Sequence, residues 1–272
     1  MRKTRKRLIS VVFLLLVLGS FVFWGQKRAS RLEVDFFDVG QGDSALIKTP
    51  DHHVILIDGG PDNTVLRRLG ENLPLNSRRI DFIISSHYHD DHATGLVEVA
   101  KRYKVGEIIY QDNSSLSPIF EAFLDEVKKQ SSVIKPLVNG VKISFSADCN
   151  LYLWPSSLFN VPVDPNNSLI VKLDCAGRKF LFSGDNSARV EKILLKSSLD
   201  LRADVFKVSH HGSNSANSEA FLSAVNPQLT VISVGADNKF GHPAPAVMER
   251  LQKMGIKIKR TDQDQTIKIF SK

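Results

Sequence analysis

The sequence predicts an α/β fold, a sandwich of two mixed β-sheets with helices packed outside. Two observations carry this. Clusters of short apolar runs flank amphipathic helical stretches in both halves of the chain, the pattern of sheets layered with helices. The 272 residues also suffice for one large domain with a sizeable core, or for two small ones. Composition is that of an ordinary globular chain, with no low-complexity tract and no repeat of fixed period.

The elements follow in order. Residues 31–38 alternate toward a strand, and 44–48 and 54–57 are short apolar runs broken by Pro50-Asp51 and Gly59-Gly60-Pro61. Residues 64–69 look helical. The run 80–86 reads as a buried strand ending in small residues, and 93–101 as the helix after it. A strand at 107–110 and an amphipathic helix at 118–130 close the first half. Strands then dominate at 141–145, 151–154, 169–173 and 179–182. Helix 188–196, strand 205–208, helix 218–224, strand 230–234, helix 244–254 behind Pro243, and strands 257–260 and 266–270 complete the chain.

Between the strand at 80–86 and its helix stands His87-Tyr88-His89-Asp90-Asp91-His92, an HxHxDH pattern. The chain has eight histidines, so three in one hexapeptide is not a random scatter. Three imidazoles and a carboxylate on a loop behind a rigid strand can supply most of the ligands of two adjacent divalent ions. Other polar groups also fall at strand ends. Asp58 precedes Gly59-Gly60, Asp185 lies in Ser183-Gly184-Asp185, His210 and His211 follow strand 205–208, and His242 lies in Phe240-Gly241-His242-Pro243. Each alone would read as a turn or a structural histidine; together with the hexapeptide they point to one metal centre.

The formal net charge of +7 is misleading. Residues 1–31 hold eight Lys/Arg and no acid, whereas 32–272 hold 28 Lys/Arg against 29 Asp/Glu. The basic excess is therefore a targeting signal and does not support nucleic-acid binding by bulk charge. Five basic residues precede an apolar stretch over 8–24, and only Lys27, Arg28 and Arg31 follow it. That arrangement predicts an uncleaved signal anchor, N-terminus cytoplasmic, with a cleaved signal peptide and a secreted domain as the alternative. The expected organisation is 1–31 as basic stub, transmembrane helix and linker, and 32–272 as the folded, extracytoplasmic domain. Cys149 and Cys175 sit at the edges of expected strands; they could form a disulfide or remain two buried thiols.

Beyond the hexapeptide, the chain carries Phe37-Asp38-Val39-Gly40-Gln41-Gly42-Asp43-Ser44, Leu56-Ile57-Asp58-Gly59-Gly60, Phe180-Leu181-Phe182-Ser183-Gly184-Asp185 and Val208-Ser209-His210-His211-Gly212-Ser213. With these motifs it resembles the metallo-β-lactamase superfamily, and within it the hydrolase domains of ComEC-type DNA-uptake competence proteins, over about residues 32–270. With no multi-span segment in this sequence, a single-anchor relative is expected, not the DNA channel itself.

The resemblance implies an αββα metallo-β-lactamase fold and two divalent ions, zinc or manganese. His87 and His89 would hold the first; Asp91 and His92 the second; Asp185 would bridge them. One of His210 and His211, His211 favoured, would complete the second. Asp58 and Asp43 would stand behind the ligands. A histidine that many members place before the strand leading to Gly-Asp is absent; that region reads Asp164-Pro165-Asn166-Asn167-Ser168. The first ion is therefore expected to be weakly held, with Asp164 or Asn167 as oxygen donors.

The implied chemistry is metal-assisted hydrolysis. Asp91 would orient the nucleophile, and His242, or whichever of His210 and His211 is not a ligand, would protonate the leaving group or grip a phosphate, with Ser213, Asn238 and Asn167 as substrate contacts. The expected substrate is a phosphodiester, with DNA the leading candidate. The alternatives are another ester (a phosphocholine-type diester, a lactone or a lactam) or a non-catalytic binding module on the same fold.

Overall fold

The two expected sheets are present. The protein is described from a computed structural model covering residues 31–112, 117–162 and 164–271. The anchor helix expected over 8–24 lies outside the described residues; among these, no helix is long and apolar enough to cross a membrane.

The first sheet holds β1 (Glu33–Phe36), β2 (Ala45–Lys48), β3 (Val54–Ile57), β4 (Arg79–Ser85), β5 (Lys104–Gln111) and β6 (Val133–Leu137) in sequence order, with β14 (Ile267–Phe270) returning beside β1. The second runs β7 (Val141–Ser146), β8 (Cys149–Trp154), β9 (Ile170–Cys175), β10 (Arg178–Phe182), β11 (Val205–Lys207), β12 (Leu229–Ile232) and β13 (Lys257–Arg260). Each sheet is antiparallel at one side and parallel at the other: β3 to β6 are parallel, as are β10 to β13.

Parallel strands are buried on both faces, which is why 80–86 and 205–208 read as near-continuous apolar runs. Their alternate residues serve different layers. Ile55 and Ile57 face a core shared with Leu151, Leu173 and Phe180 of the other sheet. Leu56, Ile80 and Ile83 face outward onto α1 (Thr64–Asn72), α2 (Asp90–Arg102) and α3 (Pro118–Lys128). On the other side Leu181, Phe206 and Ile232 pack beneath α4 (Ala188–Leu194), α5 (Glu219–Val225) and α6 (Pro245–Lys253). The layers are therefore helix, sheet, sheet, helix.

Strand β6 was not expected, because Pro136 breaks its apolar pattern. The strand lies at the sheet edge, where a missing N–H disrupts no outer ladder. The one-turn helix α7 (Thr261–Asp264) was likewise not expected.

Cys149 and Cys175 face each other across β8 and β9 and are joined by a disulfide, which resolves the two sequence alternatives. Both are fully buried in the inter-sheet core. Closing a loop of this length is worth about 3 kcal/mol in the chain-entropy model. Replacing both cysteines by alanine should lower the denaturation midpoint accordingly in urea titrations. An unchanged midpoint would show that the strand pairing alone fixes this corner.

Candidate metal centre

The site forms where parallel strands of both sheets end, the crevice in which open α/β sheets place ligands. β4 delivers the hexapeptide. Its first half stays extended, so His87 and His89, two residues apart, share a side. His89 caps α2, and Asp90 and Asp91 fill the first helical turn, where the helix dipole favours acids. The loop before β2 closes over this turn. Asp43 N–H donates to Asp91 O at 3.2 Å, and a Cβ on Gly42 would overlap that carbonyl, so only glycine fits there.

Two groups of ligand atoms face the centre. Asp91, His92, Asp185 and His211 form one, and His87, His89 and Asp185 the other. A third, Asp43, Asp58 and His92, lies behind the His92 ring. Asp185 Oδ1 lies 3.5 Å from His92 Nε2, while its Oδ2 lies 3.8 Å from both His87 Nε2 and His211 Nε2. Asp91 Oδ2 approaches His211 Nε2 at 3.1 Å and His92 Nε2 at 3.8 Å. His87 Nε2, His92 Nε2 and Asp185 Oδ1 are buried without a hydrogen-bond partner among the described residues. Buried polar atoms are otherwise almost always paired. Three such atoms, all ligand types and shared between two groups that meet at Asp185, fit divalent ions.

The far sides of the rings are fixed. Asp58 Oδ2 lies 2.9 Å from His92 Nδ1, and Asp58 accepts Ser86 N–H and Ser86 Oγ–H, both at 2.7 Å. Ser86 Oγ also reaches His87 Nδ1 at 3.1 Å. His211 Nδ1 lies 2.9 Å from the Ser233 carbonyl and 3.4 Å from Asp43 Oδ1. With Nδ1 of His87, His92 and His211 engaged, their Nε2 atoms are turned to the centre, the usual support of metal-binding imidazoles.

His210 and His211 are both left-handed, at φ 51° and 52°. Non-glycine residues in that region cost about 1–2 kcal/mol each. The strain is held by neighbours the sequence reading did not single out. Asn217, fully buried, accepts Ser209 N–H and donates to Ser209 O, and Glu191 accepts the backbone N–H of Asn217 and Ser218. The turn puts His211 in the four-residue group. His210 stands at the rim, its Nε2 3.7 Å from Asp185 Oδ2.

Lys207 was also missed. It is buried on β11 and pairs with Asp43 Oδ2 beneath His211. Asn238, expected at a substrate phosphate, spends its amide inside its own loop. It donates to Gly235 O and His242 O and accepts Phe240 N–H and His242 N–H. Asn167 donates to Pro162 O, and Asp164 accepts from Asn166; Asp164 joins no group of acidic and histidine ligands among the described residues. Ser213 pairs with Ser215. His242 lies at the rim, its ring 5.9 Å from that of His210.

Charge is tightly coupled here. Burial opposes the imidazolium of His211, but Asp185, then Asp43 and Asp91, outweigh it and raise its pKa to about 9. His92 is likewise pushed up, burial being overcome by Asp185 and Asp58. His87 goes the other way, lowered by burial and by His92. Ion binding must therefore displace protons from His92 and His211. Metal affinity should climb as pH rises from 7 towards 9, where His211 gives up its proton. Calorimetry in buffers of different ionisation enthalpy counts the protons, and an affinity flat across that window would contradict the assignment.

Comparison with known proteins agrees with this architecture. Residues 37–236 match the family profile described as the metallo-beta-lactamase superfamily. The chain is 32% identical over 253 residues to competence protein ComA of Neisseria gonorrhoeae, covering 91% of this chain and 34% of that protein. It is 26% identical over 256 residues to ComE operon protein 3 of Bacillus subtilis (strain 168), covering 88% and 33%. It thus spans about a third of the length of these relatives. Among solved structures, the metallo-beta-lactamase fold protein YhfI from Bacillus subtilis superposes with TM-score 0.62 at 12% identity, over 88% of this chain and 99% of that one, a likeness of fold alone.

Proposed function

Because this chain belongs to the metallo-beta-lactamase superfamily, we propose that it is a metal-dependent phosphodiesterase acting on nucleic acid outside the cell membrane. Residues 32–272 are the hydrolase domain, and 8–24 hold it to the membrane with the N-terminus cytoplasmic. The observation that carries the reading is the clustering of Asp91, His92, Asp185 and His211 with His87 and His89, in which buried atoms of His87, His92 and Asp185 have no hydrogen-bond partner among the described residues. The competence-protein relatives support nucleic acid as substrate and a membrane-associated role in its uptake. The Cys149–Cys175 disulfide suits an oxidising, extracytoplasmic side.

His87, His89 and Asp185 would hold one divalent ion, zinc or manganese, and Asp91, His92, Asp185 and His211 another. Such ions act as Lewis acids on the phosphoryl oxygen and acidify water for attack. The chain's own residues do the rest. Asp58 and Ser86 fix His92 and His87, so the site needs no reordering as charge develops. Asp91 is the more open carboxylate of the set and can orient the attacking water by accepting its hydrogen bond. Burial, then His211 and His210, lower the pKa of His242. That makes it a readier proton donor to the leaving oxygen, though a scarcer one at neutral pH.

The test uses the whole 272-residue chain in detergent, with zinc, manganese and magnesium in turn. Cleavage of single- or double-stranded DNA that is lost in Asp91→Ala supports the reading; no cleavage with any metal overturns it. A second reading rests on the near balance of 28 Lys/Arg and 29 Asp/Glu over 32–272, which offers little general affinity for a phosphate backbone. Turnover of bis(p-nitrophenyl) phosphate without DNA cleavage would favour a smaller diester, such as a phosphocholine type.

A further inference from the structure

We propose that Phe240 is a stacking platform for an unpaired nucleobase next to the metal centre. The inference rests on the phosphodiester reading above and adds to it how the substrate is gripped.

Phe240 is 68% exposed, and no other Phe, Tyr or Trp among the described residues is exposed. A single exposed apolar side chain is ordinary by itself. Its place is what matters. The ring lies 5.8 Å from that of His242, nearly parallel at 21°. His242 in turn lies 5.9 Å from the His210 ring, whose Nε2 is 3.7 Å from Asp185 Oδ2. Two ring contacts therefore lead from the carboxylate shared by both central ligand groups to the exposed face of Phe240.

The loop is also built to hold the ring out. Asn238 makes four hydrogen bonds inside it, including one that accepts Phe240 N–H at 3.2 Å. Gly241 takes a left-handed φ of 69° that turns the chain back toward His242. A ring fixed in advance loses little freedom on binding. With near-neutral charge over the domain, stacking supplies affinity that does not depend on the phosphate backbone. Only a base already free of its neighbours offers both faces, so the platform favours single-stranded over duplex substrate.

The experiment measures binding to the whole chain in detergent with manganese, by fluorescence anisotropy. The probes are an eight-residue oligothymidylate and an abasic oligomer of the same length. Wild type should bind the thymidylate about tenfold more tightly than the abasic strand. Phe240→Ala should remove that preference and leave abasic binding unchanged, and Phe240→Trp should restore it. No preference in wild type, or a preference that survives Phe240→Ala, overturns the platform. Hydrolysis by wild type is followed in parallel. A base preference lost with Phe240→Ala in a protein that cleaves nothing supports the platform and overturns the phosphodiesterase reading. Cleavage without any base preference does the reverse.

Discussion

Asp185→Asn should remove nearly all metal binding, and with it hydrolysis, while the chain still folds. Asp185 is the one residue in both central ligand groups, with Oδ1 toward His92 and Oδ2 toward His87 and His211. The amide keeps the shape, and the backbone N–H of Asp185 still donates to Ser168 Oγ at 2.9 Å. What it lacks is the negative charge that would hold metal and that balances the surrounding imidazoles.

Asp58→Asn is the measure against which this loss is judged. Asp58 meets the ligands only from behind, at His92 Nδ1 and through Ser86, and removing such an outer partner usually lowers metal affinity about 10–100-fold. Asp185→Asn should exceed that range in calorimetric titration. The metal-free protein gives a second readout. Asp185 is the foremost charge raising His211 to about 9, so in the variant the His211 resonances should titrate at distinctly lower pH. Equal losses in the two variants would mean that Asp185 is a support and not a shared ligand.

Such a ranking was partly legible in the sequence because ligand residues sit at strand ends, where local pattern is strongest. The apolar run before His87 and the Gly-Asp turn before Asp185 each announce a strand delivering a polar group. The supports are harder to read. Asp91 and His211 meet across 120 residues, and nothing local to Asn217 or Glu191 says that they hold a left-handed His-His turn. The cysteines could be placed on strands but not paired, because their meeting depends on the β8–β9 register. Asn238 shows the opposite failure. It was expected as a substrate contact, yet its amide is consumed by the loop that presents Phe240.

Lys207 was invisible for the same reason, and its removal should have the largest effect on stability. The side chain comes from β11, is almost wholly buried, and pairs with Asp43 from the loop between β1 and β2. The pair thus ties one sheet to the other directly beneath His211. Burial would raise the Asp43 carboxyl, but the Lys207 ammonium, then His211 and His92, hold it well below the usual carboxylate range. A depressed carboxyl contributes stability at all pH values above its unfolded pKa, and that contribution fades only as acid protonates the folded state. Neutral pH is therefore where the pair acts in full.

Breaking a buried pair from one side leaves an uncompensated charge and costs about 3–5 kcal/mol. Lys207→Met should therefore destabilise the metal-loaded protein by that order in urea titrations at pH 7. Replacing both partners is often close to neutral, so Lys207→Met with Asp43→Asn should recover most of the loss. Metal affinity should instead fall in the double variant, because only there is the carboxylate 3.4 Å from His211 Nδ1 removed. A double variant that regains stability and keeps full metal affinity would make the pair a fold element only. One as unstable as Lys207→Met alone would show that the two residues do not act together.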